Sequence, residues 1–322
     1  MVDSEVLYRR GLELAVLNQW DLAAESWRSA AEGGQASAMV ALGVFLERDR
    51  RPEEAASWFR RAAAAGHPAG IANVGILFAQ RDDLDEAEVW WRRAAEAGGF
   101  VGMVKLGTLL CERGELVEAE VWYRQAVDVP RDVRPPEFVV HLTGDIVSGW
   151  HFDYTAMDAV QTMLGAVLAD LDRTEEAVAW WREAAEAGNH AAMFNLGLVC
   201  AQQGQAKRAL AWWRSAAEAG NVDASFNLGL RLLQEGRDDE AEPWLRAAAE
   251  AGDTPAMVNL GTLFVRTGSR EAGERWWRRA AEAGDEQAVR LLEFVDSLGP
   301  DEELGIEPTL PGRVFAVKLP RS

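Results

Sequence analysis

The small and apolar residues of this chain recur on a 32-residue beat. Glycine stands at Gly11, Gly43, Gly75, Gly107, Gly165, Gly197, Gly229 and Gly261. Every step is 32 residues except Gly107 to Gly165, which is 58, or 32 plus 26. Tryptophan keeps the same beat at Trp58, Trp90, Trp122, Trp180, Trp212, Trp244 and Trp276. So does the glycine closing an Ala-Gly or Gly-Gly pair, at Gly34, Gly66, Gly98, Gly188, Gly220, Gly252 and Gly284. Three landmarks in phase mark an internal repeat of one supersecondary unit. Inside a unit the spacing is helical. Met103, Leu106 and Leu110 fall at the i, i+3, i+7 spacing of one face, and Gly114 breaks the helix, as Gly204, Gly236 and Gly268 do elsewhere. A second helix is predicted over about 115–127, with Ala119, Tyr123 and Ala126 on its inner stripe. Small residues there let two helices approach closely.

Composition narrows the functions open to such a chain. Its 322 residues are 48% apolar, enough for a well-buried core. They carry 52 Asp plus Glu against 33 Lys plus Arg, a net charge of −19. That excess argues against nucleic acid or an anionic membrane as partner, since both need clustered cations. Two cysteines, Cys111 and Cys200, make no disulfide framework. The start, Met1 to Glu5, lacks the basic residues and apolar run of a signal peptide. No apolar stretch approaches the ~20 residues that span a bilayer. A soluble, cytoplasmic protein is expected.

Catalytic chemistry is missing from the pattern. There is no Gly-rich phosphate loop, nucleophile elbow or His-Glu-x-x-His. His67 and His190 follow Ala-Gly turns and read as surface loop residues. His141 and His151, with Asp145 and Asp153 nearby, have neither the spacing nor the cysteines of a metal site. No enzyme activity, metal or cofactor is expected. Glu88–Arg92, Glu120–Arg124 and Glu274–Arg278 are i, i+4 pairs on a solvated helix face, each contributing a few tenths of a kcal/mol.

The run Met103-x-x-Leu106-Gly107-x-x-Leu110, with Gly114, Ala119, Tyr123 and Ala126, resembles the tetratricopeptide repeat. Residues 184–197, Ala-Ala-Glu-Ala-Gly-Asn-His-Ala-Ala-Met-Phe-Asn-Leu-Gly, resemble the related Sel-one-like repeat. The resemblance implies an all-α, right-handed superhelical solenoid of antiparallel helix pairs. Repeats one to four occupy 4–129. Repeats five to eight and a capping helix, about 286–296, occupy 156–297. The period of 32 is shorter than the 34 of the tetratricopeptide unit, so helices or turns are trimmed.

Twelve of the 14 tryptophans are predicted in second helices, often as neighbours: Trp90-Trp91, Trp180-Trp181, Trp212-Trp213 and Trp276-Trp277. Adjacent helical residues point about 100° apart. The second of each pair matches the family's packing aromatic, and the first turns toward a neighbouring repeat or the rim. Packing is a simpler reading of these rings than a ladder that stacks a ligand.

The resemblance also implies a partner groove along the first helices. Two residues before the repeat glycine stand Asn73, Asn195, Asn227 and Asn259, with Ala41, Lys105 and Met163 in other units. An amide there can donate to a peptide C=O and accept from its N–H. The alternative is that these amides bond helix backbone within the stack. Phe194 and Phe226 stand three before the glycine, and Leu198 and Leu230 one after. The implied groove is apolar, bordered by amides, and without the Lys and Arg rows that clamp a terminal carboxylate. A scaffold or adaptor for a peptide or protein partner is expected, with a ligand-switched regulatory receptor as the alternative. Two segments break the beat. The interval 130–155 reads as an insertion with a β-hairpin around Gly144, and 298–322 as a Pro-containing tail whose run at 314–319 pairs with that insertion, occupies the groove or stays unstructured.

Overall fold

The computed structural model describes residues 3–130 and 157–297. Those residues form seventeen α-helices and no strand. The first eight are α1 (Ser4–Val16), α2 (Trp20–Glu32), α3 (Ala36–Arg48), α4 (Pro52–Ala64), α5 (Pro68–Ala79), α6 (Leu84–Glu96), α7 (Phe100–Glu112) and α8 (Leu116–Asp128). After residues 131–156 come α9 (Met157–Asp170), α10 (Thr174–Glu186), α11 (His190–Gln202), α12 (Ala206–Glu218), α13 (Val222–Gln234), α14 (Asp238–Glu250), α15 (Thr254–Arg266), α16 (Arg270–Glu282) and α17 (Glu286–Ser297). Odd-numbered helices up to α15 are the first helix of a repeat and even-numbered ones the second. The α17 helix closes the series. Trp20 opens α2, so thirteen tryptophans rather than twelve sit in second helices.

Local signals fix where helices start and stop. Asn189, Asn221 and Asp253 cap α11, α13 and α15 by accepting from the N–H of Ala192, Ala224 and Ala256, at 2.7–2.9 Å. Pro52 and Pro68 stand at the starts of α4 and α5, where a missing N–H costs nothing. The turn inside each pair needs one left-handed residue. Gly114, Gly204, Gly236 and Gly268 supply it in four repeats, whereas Asn18, Arg50, Asp82 and Asp172 hold φ near +60° in the others.

A knob and a hole hold each pair together. The indole of Trp91 lies so close to Gly75 that a Cβ there would sit 2.6 Å from the ring, and Gly197 faces Trp213 at 2.4 Å. Phe59, Tyr123 and Leu245 fill the same place against Gly43, Gly107 and Gly229. The Trp91, Trp181 and Trp277 N–H groups donate to the carbonyls of Ala72, Thr162 and Val258, at 3.1–3.2 Å. The second ring of each Trp-Trp pair is thus the buried one, as expected. In two of these pairs an arginine covers the first ring, Arg93 lying 4.6 Å over Trp90 and Arg279 4.4 Å over Trp276, and Arg61 lies likewise 4.0 Å over Trp58, the neighbour of Phe59. Neighbouring repeats interlock through minimal side chains. Ala192, Ala224 and Ala256 are fully buried, and a Cβ on Gly70 would meet that of Ala62 at 2.5 Å.

The chain separates into two compact units, Met1–Glu183 (unit one) and Ala184–Ser322 (unit two). Within each, first helices of successive repeats touch, α3 on α5, α5 on α7 and α13 on α15. First helices are therefore the inner layer of each unit. Enclosed between partners, α5 buries nine of its twelve residues, whereas α6 buries only the stripe Ala87, Trp91, Ala94 and Ala95.

The 26-residue interruption leaves the stack in register. In unit one α8 packs on α9, and Arg173 bonds both Glu120 of the preceding repeat and Glu176, at 2.7–2.8 Å. The expected i, i+4 pairs form, at 2.9 Å for Glu88–Arg92, 2.8 Å for Glu120–Arg124 and 2.7 Å for Glu274–Arg278. Several also bridge repeats, with Arg92 reaching Glu118 and Arg113 reaching Glu88. The hairpin expected after Pro130 and the tail beyond 297 lie outside the described residues, as do His141 and His151.

Candidate partner-binding face

On each first helix, the positions two before, one after and five after the repeat glycine share one face. In unit two this face carries Asn195, Asn227 and Asn259 on α11, α13 and α15. The three amides occupy equivalent places but differ in surroundings. Asn195 and Asn227 are 8% and 3% exposed. Asn259 is half-buried, and its Nδ2 donates to the Pro255 carbonyl at 2.8 Å. Neither Nδ2 nor Oδ1 of Asn227 has a hydrogen-bond partner, although both atoms are shut off from solvent. The backbone-bonding alternative therefore describes Asn259 but not Asn227. The capping amide of Asn221 is fully used by comparison: Oδ1 accepts from Ala224 N–H and Nδ2 meets His190 Nδ1 at 3.2 Å.

Phe194, Phe226, Leu198 and Leu230 lie in the core of unit two, each 4–6% exposed, with Val258 and Leu260. They offer a partner a rim of atoms rather than whole side chains. In unit one Asn73 and Lys105 hold the amide position on α5 and α7 and are 6% and 7% exposed. Lys105 lies within electrostatic reach of Glu112, two turns further along α7, where it opposes the burial that raises that carboxyl.

Two features escaped the sequence. The first is Glu47 on α3, four residues after Gly43, where the other seven repeats have alanine, cysteine, leucine or valine. Burial pushes its carboxyl up to about 7 against the opposing hydrogen bond of the Gln80 side chain. One acid in an otherwise apolar column was the available signal. The second is the role of His67 and His190: His67 stands in the connection before α5 and His190 opens α11, and both make inter-repeat contacts. His67 immediately precedes α5 without capping it through its side chain, and its Nε2 lies 3.2 Å from Ser37 Oγ on α3. Burial lowers its pKa. No group of three or more His, Cys, Asp or Glu suited to a metal occurs among the described residues.

The tetratricopeptide repeat profile matches residues 8–69, 162–222 and 215–254, and the Sel1 repeat profile matches 74–99 and 254–285. No curated protein sequence matches the chain. Among solved structures it is similar to a Sel1 repeat protein from Oxalobacter formigenes, at 21% identity and a TM-score of 0.61, over 92% of this chain and 88% of that one. It is also similar to pilF of Pseudomonas aeruginosa, at 16% identity and a TM-score of 0.52, over 71% and 97% of the two chains. At these identities the likeness is one of fold.

Proposed function

We propose that this chain, which belongs to the tetratricopeptide and Sel1-like repeat proteins, is a scaffold that holds a peptide or protein partner on the inner face of its first helices. Such repeat proteins are generally protein-interaction scaffolds, and their fold is typically non-enzymatic. No catalytic role is proposed. The observation that carries the reading is Asn227. A buried polar group left unbonded costs about 1–3 kcal/mol, so an amide with both ends unpaired is poised for a partner. An extended peptide backbone presents the matching C=O and N–H. Asn195 and Asn259 continue the row by one repeat on either side.

The same observation favours a regulatory variant of this function. The Asn227 amide is closed off from solvent, so a partner reaches it only when its cover opens. Binding is then coupled to a local shift of α13 against its neighbours, the kind of two-state element that a receptor needs. The proposed setting is the cytoplasm. Both cysteines are free thiols, and no described helix is long and apolar enough to cross a membrane.

The test is a pull-down from the native host with the full chain and with an Asn195→Ala, Asn227→Ala, Asn259→Ala triple variant. A partner captured by the first and lost by the folded second supports the scaffold. Equal capture by both contradicts it.

A further inference from the structure

We infer that the outward face of α6 and α8 is a self-association surface, on which Val89, Val117 and Val121 meet the same residues of a second copy of the chain across a two-fold axis. The inference concerns the second helices and does not rest on the amide row. The three valines are 53%, 68% and 47% exposed. Among the described residues, the other large apolar side chains of such exposure lie on α1, α2 and α17 or in the α1–α2 turn, where the series of repeats begins or closes. Only these three stand exposed with repeats on either side of them.

Neither packing nor the repeat pattern accounts for them. Val117 stands in the first turn of α8, four residues before Val121 and on the same stripe. At its position every other second helix carries a charge, among them Asp85 on α6 and Glu175 on α10. Val89 and Val121 share one position in successive repeats, held by Glu25 and Ser57 in the two repeats before them. A cluster of exposed apolar side chains that the fold itself does not use marks an interaction site.

The surroundings of the valines are tied together and neutralised. Arg92 of α6 pairs with Glu88 at 2.9 Å and reaches across to Glu118 of α8, the neighbour of Val117. Arg113, just after α7, pairs with Asp85 at 2.7 Å and with Glu88. Arg124 pairs with Glu120 at 2.8 Å and with Glu176 of α10 at 3.0 Å. These bridges hold α6 and α8 side by side. An apolar centre within a paired polar rim is the anatomy of a protein interface, and a preorganised one loses little freedom on binding. The pairing also matters for a chain of net charge −19, because two copies repel wherever their carboxylates are uncompensated.

The order of charges along the helices selects the second copy as occupant. On α6, Asp85 and Glu86 precede Val89, and Arg93 follows it. On α8, Glu118 precedes Val121, and Arg124 follows it. Glu86 and Arg93 are both exposed. A two-fold axis through the patch sets the helices of the two copies antiparallel. Acidic starts then face basic ends, the helix dipoles oppose, and valine meets valine, each contact being made twice.

Sedimentation velocity on the full chain tests the inference, with Val117→Asp as comparator. That variant restores the kind of residue the other repeats carry, and an acid in the first turn of a helix favours the fold. The unaltered chain should be a dimer at about 100 μM, and Val117→Asp, which adds a carboxylate to each side of the contact, should raise the dissociation constant at least tenfold. Val117→Ile should leave the dimer intact, and so should the Asn195/Asn227/Asn259 triple variant, whose substitutions lie on the first helices. An unaltered chain that is monomeric overturns the inference and leaves the face to another occupant. A dimer that Val117→Asp does not weaken, or that the triple variant dissociates, overturns it too, because the contact then lies elsewhere. The scaffold reading stands or falls separately, on partner capture by the triple variant.

Discussion

The two units share one scaffold and differ on their inner faces. In both, an aromatic or leucine from the second helix fills the gap above a glycine of the first, and alanines set the spacing between repeats. Unit one then places Glu47, Gln80, Lys105, Glu112 and Asp170 on its inner helices. Unit two places Asn195, Asn227 and Asn259 there, with Gln202, Gln234 and Arg266 further along. The contrast shows that close packing constrains the glycine, alanine and tryptophan positions and leaves the inner face open to vary. Charged residues predominate at these positions in unit one and amides in unit two, on the same backbone.

The shared scaffold breaks at its glycines. Gly197→Leu drives a side chain into the Trp213 indole, where even a Cβ would lie at 2.4 Å. Gly197→Ala should cost about 1–3 kcal/mol, as overpacking does, and Gly197→Leu should exceed it. Hydrogen exchange should show the damage concentrated in α11, α12 and the adjoining repeat, because contacts in a solenoid are local. Uniform loss of protection through both units would mean a single cooperative core.

The amide side of the comparison sharpens at Asn227 and Asn259. Asn227→Ala removes a buried amide that bonds nothing, so urea unfolding should show stability unchanged or raised. Asn259→Ala loses the bond to the Pro255 carbonyl and should cost about 0.5–1.5 kcal/mol. Equal losses at both positions would mean that Asn227 is bonded in solution.

The charged side answers to pH. Glu47 ionises at about 7 in the folded chain and near its ordinary 4.5 when unfolded. Between those values the folded state holds the extra proton, so this residue makes stability fall as pH rises from about 4.5 to 7. Glu47→Gln should remove that part of the fall and leave the variant the more stable at pH 8 in denaturant titrations. Identical pH profiles would show that the carboxyl is hydrated. The smallest effect belongs to a turn. Arg50 holds φ at +58°, and Arg50→Gly should stabilise the chain by up to about 1 kcal/mol on relief of that strain.

The period, the helix pairs and the closing helix were legible in the sequence because each rests on contacts within one repeat. The division of labour in Trp90-Trp91 followed from the 100° step between neighbours. What depends on the adjacent repeat was not legible. The family resemblance placed Phe194 and Leu198 in the groove, but whether that face is open depends on the neighbouring helices, and both lie in the core of unit two. His67 and His190 read as loop residues because their partners, Ser37 and Asn221, lie 30 and 31 residues away. Glu47 was hidden for a related reason: an acid near a helix end reads as solvated until its neighbours cover it.

The amide row is the central claim, and the affinity of a purified partner for the triple variant tests it most directly. Isothermal titration with Asn195→Ala, Asn227→Ala, Asn259→Ala should give binding at least tenfold weaker than with the unaltered chain, about 1.4 kcal/mol, with helical content retained. Undiminished affinity in a folded triple variant would contradict the account.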